Sequence, residues 1–215
     1  MAARLADPNT FPVRAVHIDG AFQHLSLEDV EKTISGQLQG SFFTVRVNTL
    51  KAALLNNQWI EDVSVARVWP DGLQVVVREQ HPVARWGDSA LLNDKGVLFE
   101  PADKTGVGDL VRLRGPGGSE IYVLARLREI ERLLAVHRQR VKWLSLSSRG
   151  AWSFGIVDGP TVVLGRTDLD FRLRRFAEGF EAIFGQRIGG LERVDLRYTN
   201  GFAVRGQAQL VLQQG

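Results

Sequence analysis

The residues most able to do chemistry in this chain are a Gly-rich turn, the histidines and the paired carboxylates. The turn runs from Arg114 to Ser119 with the sequence RGPGGS, and such a turn before a helix can hold a phosphate on free backbone N–H groups. A nucleotide-binding P-loop needs a Lys directly before its Ser or Thr, and Gly118 occupies that position here. We therefore expect an ordinary turn, with Ser119 capping the helix that follows.

Metal binding and nucleophilic catalysis have little support in the sequence. The chain has no cysteine, which excludes disulfides, thiolate metal sites and a Cys nucleophile, and no Ser lies in a Gly-x-Ser-x-Gly elbow. Adjacent acids such as Glu28 and Asp29 suit the first turn of a helix. The histidines form no recognisable metal-ligand pattern; they are His17, His24, His81 and His137. We predict no catalytic residue, no metal and no cofactor.

Composition indicates a folded chain that acts through its surface. A length of 215 residues with 44% hydrophobic residues allows one large or two small domains. The 27 basic and 24 acidic residues give a net charge of only +3, which argues against a nucleic-acid binder. No run approaches the roughly 18 apolar residues of a membrane span. We interpret residues 1–10 as a polar lead-in and consider a chain trimmed of its targeting segment.

The first region, residues 11–81, has the pattern strand, helix, helix, strand, strand. Ser26 with Asp29 predicts the cap of the first helix and Asn48 the cap of the second. The last two strands alternate around the turn Pro70-Asp71-Gly72, as expected of a hairpin. Their alternation places Val63, Val65 and Trp69 on one face.

The second region, residues 82–207, begins where Pro82 interrupts the preceding strand. It shows short strands, a long helix from Ser119 to about Arg138, more strands, and a helix that Thr167 and Asp170 cap and Gly185 ends. The long helix is predicted to bury a stripe of Ile121, Leu124, Leu127, Ile130 and Leu134, and the later one a stripe of Leu169, Leu173, Phe176, Phe180 and Ile183.

The region ends in a predicted hairpin, Leu191–Tyr198 and Phe202–Gln207 around the turn Thr199-Asn200-Gly201, and residues 208–215 form a tail. The fold class is α+β. Arg172, Arg174 and Arg175 are assigned to the solvated side of the later helix.

Two long stretches resemble a known family. The sequence WIEDVSVARVWPDGL, followed by EQHPVARW and a short Asp-x-Gly turn, resembles a POTRA domain of the FtsQ family of bacterial cell-division proteins. The sequence RVDLRYTNGFAV resembles the terminal hairpin of that family. The resemblance extends from Phe11 to about Val204. It implies a POTRA domain at 11–81 followed by an antiparallel beta domain with two helices.

The resemblance also implies a function. Proteins of this family are non-catalytic scaffolds of the divisome, anchored in the inner membrane by one N-terminal helix, with this region in the periplasm at the septum. The beta domain is expected to bind FtsB and FtsL, and the POTRA domain to meet upstream proteins such as FtsK.

Site residues follow from the same resemblance. The FtsB-binding surface corresponds to Tyr198, Asn200, Gly201, Phe202 and Val204. Arg149 corresponds to a second contact, and the recruitment surface of the POTRA domain to Val65 and Arg67. The family often has Trp near the end of the terminal strand, where this chain has Gly206, and an Asp-Ser-Gly turn where this chain has Thr-Asn-Gly.

Two other functions stay open from sequence. A POTRA-type periplasmic chaperone or translocation module would hold extended substrates, although such proteins normally carry tandem POTRA repeats or a barrel, and neither is seen here. A periplasmic enzyme such as a cell-wall hydrolase would need a catalytic carboxylate or Ser. An edge strand suits the scaffold because its unpaired backbone groups can accept a strand from a partner.

Overall fold

The chain folds into two compact units. A computed structural model describes residues 11–183, 190–198 and 201–206. The first unit extends to His81 and includes Phe99–Gly108, and the second comprises Pro82–Leu98 and the chain from Asp109 onward. Within the described residues, no helix is long and apolar enough to cross a membrane.

The first unit has the strand–helix–helix–strand–strand order that its sequence predicts. The strands assemble in the order β1-β3-β2, with β1 parallel to β3 and β2 antiparallel to it. Its elements are β1 (Ala15–Asp19), α1 (Leu27–Gln37), α2 (Val47–Leu55), β2 (Ile60–Val68) and β3 (Gly72–Glu79).

Packing of the two helices on this sheet makes the first core. Leu73, Val75 and Val77 alternate inward from β3, as the period of a strand requires. Helix residues four apart, such as Val30 and Ile34, are buried as well. The prediction for the exposed end of β2 was wrong in one respect. Trp69 does not share the buried face of Val63, because it lies in the turn beyond the strand and is 80% exposed.

The predicted caps of these helices differ from the observed ones. Ser26 is at the N-cap of α1, but its side chain makes no capping hydrogen bond. Helix α2 begins at Val47 after Arg46, two residues earlier than a cap at Asn48 would allow. Its first helical hydrogen bonds include that from Leu50 N to Arg46 O at 3.1 Å.

The second unit is a mixed sheet with helices on one face. The described strands follow the order β12-β11-β10-β9-β8-β7-β4-β5-β6. The elements are β4 (Pro82–Trp86), β5 (Ala90–Asn93), β6 (Leu98–Phe99), β7 (Val111–Arg114), α3 (Glu120–Ala135), β8 (Val141–Leu146), β9 (Trp152–Ile156), β10 (Thr161–Gly165), α4 (Leu169–Glu178), α5 (Phe180–Ile183), β11 (Leu191–Asp195) and β12 (Ala203–Gly206).

Helices α3 and α4 supply the second core. The stripe predicted for α3 is buried from Leu124 onward, but Ile121 is exposed and Val123 is buried instead. Ile121 lies two residues before Val123, about 200° around the helix, and so points away from the buried side of the first turn. The later predicted helix is two helices, because α4 ends at Glu178 and α5 starts after Gly179. The predicted end at Gly185 lies outside the described residues.

The cap of α4 and the connection that follows it were also not predicted. Asp168, not Thr167, precedes α4, with a left-handed φ of 55° and no side-chain cap. Strand β11 is an exception to the expected antiparallel pairing, because it is parallel to β10, so α4 and α5 form a crossover between them. Strands β4 and β7, and β7 and β8, are also parallel pairs.

Candidate functional site

The candidate site is the outer edge of β12, at one end of the sheet. Among the described strands, β12 pairs with β11 alone, in antiparallel register that joins Val204 to Val194 and Ala203 to Asp195. Each residue of β12 is exposed. Since no described strand pairs with the other side of β12, its backbone groups there can accept an added strand.

Register assigns the two faces of β12. Val204 continues a row of buried valines, Val194 and Val162, on the face that the helices cover. Phe202 precedes Val204 by two residues, so it shares that face, and it packs against the core. Val204 itself is 45% exposed. A strand added to β12 would extend this apolar face past Val204.

Arg175 on α4 holds the turn that leads into β12. Its Nη2 donates to the carbonyl oxygen of Tyr198 at 2.8 Å and to that of Gly201 at 3.2 Å, with a longer contact of 3.4 Å to Leu196 O. Charged donors make stronger hydrogen bonds than neutral ones. One guanidinium thus fixes both ends of the turn between β11 and β12.

The same guanidinium stacks on two aromatic rings. The Cζ atom of Arg175 lies 5.0 Å from the ring centre of Phe202 and 5.5 Å from that of Phe171, within the range of cation–π attraction. Phe171 is exposed on α4, and Tyr198 is 57% exposed at the turn. Phe171, Tyr198, Phe202 and Val204 therefore form an apolar border beside the free edge.

Sequence reasoning missed the role of two arginines. Arg175 and Arg172 were assigned to the solvated side of the helix, and that assignment is wrong. The Arg172 Nη1 donates to Leu164 O at 2.7 Å, and its side chain is only 13% exposed. Both residues directly precede or follow the buried stripe positions Leu173 and Phe176. That adjacency is the signal that could have identified them, because long side chains there can reach inward along the core.

An ion pair fixes the end of β11. Asp195 is buried and accepts hydrogen bonds from Arg197 Nη2 at 2.7 Å, Nε at 2.9 Å and the backbone N at 3.1 Å. The side-chain hydrogen bond from Arg197 is the main reason that the pKa of Asp195 lies below its usual value. The chain therefore leaves β11 toward Tyr198 in a defined direction.

Several arginines lie near the carboxyl ends of β8, β10 and β11. The turn between β8 and β9 carries Arg149, and Trp152 pairs with Gly165 at the end of β10. Arg166, Arg172 and Arg197 line a shallow cavity of about 300 Å³ beside it. Since β10 and β11 run parallel, their carboxyl ends lie at the same edge of the sheet.

Four of the predicted partner-binding residues lie close together in the structure. Tyr198, Gly201, Phe202 and Val204 all belong to the turn and strand of this edge. Asn200 lies outside the described residues. Arg149 is exposed but belongs to the turn between β8 and β9, so that β10 and β11 stand between its strands and β12.

Gly206 leaves no room for a side chain. A Cβ atom there would lie 2.6 Å from the carbonyl oxygen of Gly190 and 2.9 Å from the Cα of Leu191, distances shorter than any normal contact. The Trp expected at the end of this strand cannot be placed there without moving the backbone of β11.

The surface predicted on the first unit is partly buried and engaged in internal contacts. Val65 and Arg67 lie on β2, an outer strand of its sheet. Val65 is half-buried, and Arg67 donates from Nε to Phe42 O at 3.0 Å and from Nη2 to Val45 O at 2.7 Å. The guanidinium of Arg67 therefore holds the loop between α1 and α2.

The Gly-rich turn is local structure. Ser119 Oγ donates to Pro116 O at 2.5 Å, and Gly118 has a φ of 83°, which favours glycine. The hydroxyl thus closes the turn and does not cap α3. Across residues 11–183, 190–198 and 201–206, no group of three or more His, Cys, Asp or Glu side chains could hold a metal ion.

Comparison with known proteins agrees with both units. Residues 11–80 match the family model described as "POTRA domain, FtsQ-type", and residues 84–197 match "Cell division protein FtsQ/DivIB, C-terminal".

Similar proteins named "Cell division protein FtsQ" occur in several bacteria. That of Coxiella burnetii is 37% identical over 94% of this chain and 83% of the relative. That of Hahella chejuensis is 33% identical over 95% and 73%, and that of Burkholderia pseudomallei 33% over 91% and 80%. With its two-unit fold and both family models matched in order, the chain belongs to the FtsQ family of cell-division proteins.

Proposed function

We propose that this protein is a non-catalytic scaffold of the divisome, which binds FtsB and FtsL at the free edge of β12 and links them to other division proteins at the septum. The observation that carries the proposal is the exposed four-residue strand β12, whose approach turn is held by Arg175. An edge fixed before binding loses less conformational entropy when a partner adds a strand.

Side chains beside the edge support a specific partner. A strand added to β12 would turn alternate residues toward the face that carries Phe202 and Val204, so apolar residues at alternate positions of the partner fit there. Arg149, Arg166 and Arg197 offer positive charge at the end of the sheet. An acidic side chain at the matching end of the partner segment would lie nearest Arg197, which follows β11, whereas β10 and β11 separate Arg149 from β12. The family model itself matches only as far as Arg197, so this site rests on geometry.

Location and the second partner complete the proposal. The scaffold is a single-pass protein of the inner membrane with this region in the periplasm. The first unit meets upstream proteins such as FtsK through β2, around Val65. Arg67 supports that surface by holding the loop between α1 and α2, and its guanidinium is engaged within the unit.

The test measures binding of a periplasmic FtsB peptide by calorimetry. Val204→Asp puts a charge on the apolar border, and we expect it to weaken binding at least about tenfold. The matched control is Val97→Asp, because Val97 is 51% exposed in the turn before β6, at the other end of the sheet. Tyr198→Ala is expected to weaken binding in the same direction. Circular dichroism establishes that each variant is folded.

The outcomes separate the functions. Loss of binding in Val204→Asp alone supports the scaffold and its site. Equal loss in Val97→Asp, or no loss in either, removes the site from β12. Equal binding of a scrambled FtsB peptide would favour the chaperone or translocation module, which needs no sequence preference.

A further inference from the structure

Three segments distant in sequence meet at one end of the first unit. They are residues 11–14, 41–46 and 67–72. The backbone N of Arg14 donates to Asp71 O at 2.9 Å, and that of Phe42 donates to Phe11 O at 2.7 Å. The rings of Phe11 and Phe43 pack edge to face with centres 5.3 Å apart. These contacts make one continuous surface from separate turns.

Large apolar side chains of these segments are exposed to solvent. Trp69 is 80% exposed in the turn between β2 and β3, and Val68 beside it is 43% exposed. Phe11 and Phe43 are exposed as well. We call these four residues the aromatic end. A group of exposed apolar residues of this size marks an interaction surface.

Several backbone groups beside the aromatic end are satisfied within the unit. Arg67 donates to the carbonyl oxygens of Phe42 and Val45, and the N of Ser41 donates to Thr44 Oγ1 at 2.8 Å. Pro70 has no N–H to satisfy. This arrangement suits a medium poor in water, where an unsatisfied backbone group is costly.

The charged residues of the three segments indicate which water-poor medium the aromatic end contacts. The charged residues of the three segments are Arg14, Arg46, Arg67 and Asp71, and Arg14 lies 3.9 Å from Asp71. Arg46 is exposed and has no acidic neighbour within these segments. Tryptophan and phenylalanine beside arginine are typical of surfaces that enter the headgroup region of a bilayer, where the rings lie at the interface and the cations meet anionic lipid.

We propose that the aromatic end inserts into the headgroup region of a bilayer containing anionic lipid, with Trp69 as its deepest residue. The contact is separate from β12, so it does not depend on the partner proposed there. It would fix the orientation of the first unit on the membrane surface by a second contact, independent of any spanning segment.

The first experiment places an environment-sensitive fluorophore at the aromatic end. Because the chain has no cysteine, Val68→Cys gives one labelling position. Val76→Cys is the matched control, since Val76 on β3 is also a valine with 43% exposure. Vesicles of phosphatidylcholine with about 30% phosphatidylglycerol are expected to blue-shift the emission of the label at 68 and leave that at 76 unchanged.

The second experiment measures partition by co-sedimentation with the same vesicles. Trp69→Ser is expected to weaken partition about tenfold, the loss of one large apolar side chain from the interface. Partition should also fall when phosphatidylglycerol is omitted and in about 0.5 M salt. Far-UV circular dichroism controls for folding.

Several results would overturn this proposal. They are no shift at position 68, an equal shift at 76, or partition unaffected by Trp69→Ser. If vesicles leave the label at 68 unchanged while an FtsK segment shifts it, the aromatic end is a protein-binding surface. Such a result would leave the β12 calorimetry untouched.

Discussion

The outer strands β2 and β12 were both expected to bind partners, and they are supported in opposite ways. β2 is nine residues long and packs under α2. Its own Arg67 reaches across to hold a loop. β12 is four residues long, and Arg175 holds its turn from a helix. The guanidinium on β2 is thus engaged in holding its own unit, whereas β12 is itself held in place from a helix and each of its residues is exposed.

The largest effect on this difference between β2 and β12 is expected when Arg175 is replaced. Replacing it with Ala removes two hydrogen bonds to the turn and the stacking on Phe202. We expect the free energy of unfolding to fall by about 3 kcal/mol, because hydrogen bonds from charged groups contribute about 1.5–3 kcal/mol each. FtsB-peptide binding should fall more than tenfold.

Arg174→Ala is the control, because Arg174 is exposed and donates to the carbonyl of Asp170 in its own helix at 3.3 Å. Denaturant titration measures both variants. Similar unfolding free energies for the two would mean that β12 does not depend on α4.

Arg67 should affect stability and not the β12 partner. Arg67→Ala leaves the carbonyls of Phe42 and Val45 without their donor, and we expect a loss of about 2 kcal/mol. Arg46→Ala, at an exposed arginine in the same loop, should cost less than about 0.5 kcal/mol. If Arg67→Ala weakened FtsB-peptide binding, this result would contradict the expectation that β2 and β12 act independently.

Low pH should lower the free energy of unfolding through Asp195 at the end of β11. Its pKa is lowered in the folded protein, chiefly by the hydrogen bond from Arg197, so its stabilising contribution is complete above the unfolded pKa of about 3.9. That contribution is lost as the pH falls through the lower folded value. Denaturant titrations between about pH 2.5 and 6 should therefore show a steeper acid loss in wild type than in Asp195→Asn.

Asp88→Asn serves as the control for acid unfolding, because the side chain of Asp88 is 89% exposed and its ion pair with Arg114 lies in solvent, where such pairs contribute little. It should follow the wild-type curve. A curve for Asp195→Asn parallel to that of wild type over the whole range would show that this carboxylate is not held.

The smallest effect is expected from the ion pairs on β2. Arg78 on β3 lies 3.0 Å from both Glu61 and Asp62, with a side chain 57% exposed. Exposed pairs contribute about 0.2–1 kcal/mol, so Arg78→Met should cost about 0.5 kcal/mol at low salt and less at high salt. A loss above about 1.5 kcal/mol would show that β2 depends on its charged residues.

Local patterns predicted much of the fold. The hairpin of β2 and β3 follows from Pro70-Asp71-Gly72 and alternating valines, since both signals lie within a few residues. The buried stripe of α3 follows from apolar spacing alone, except at Ile121 in its first turn. The order of elements in the first unit was therefore correct.

Long-range contacts could not be predicted in the same way. The parallel pairing of β10 with β11 depends on how the crossover packs, which no local spacing encodes. The contact of Arg175 with Tyr198 joins residues 23 apart across a turn. An arginine beside a buried stripe is compatible with solvent or with an inward contact until the neighbouring element is placed.

The parallel pair β10–β11 has a consequence for truncated chains. A chain that stopped anywhere before Leu191 would lack β11 and β12, leaving β10 as an outer strand. β10 has the sequence TVVLG, with Val162 and Leu164 fully buried in the complete sheet. Uncharged, β-branched strands left open at an edge pair with other copies and aggregate. The hairpin of β11 and β12 thus also covers β10 and protects the protein from aggregation. Arg193 and Arg205 lie side by side on the outer face of this hairpin.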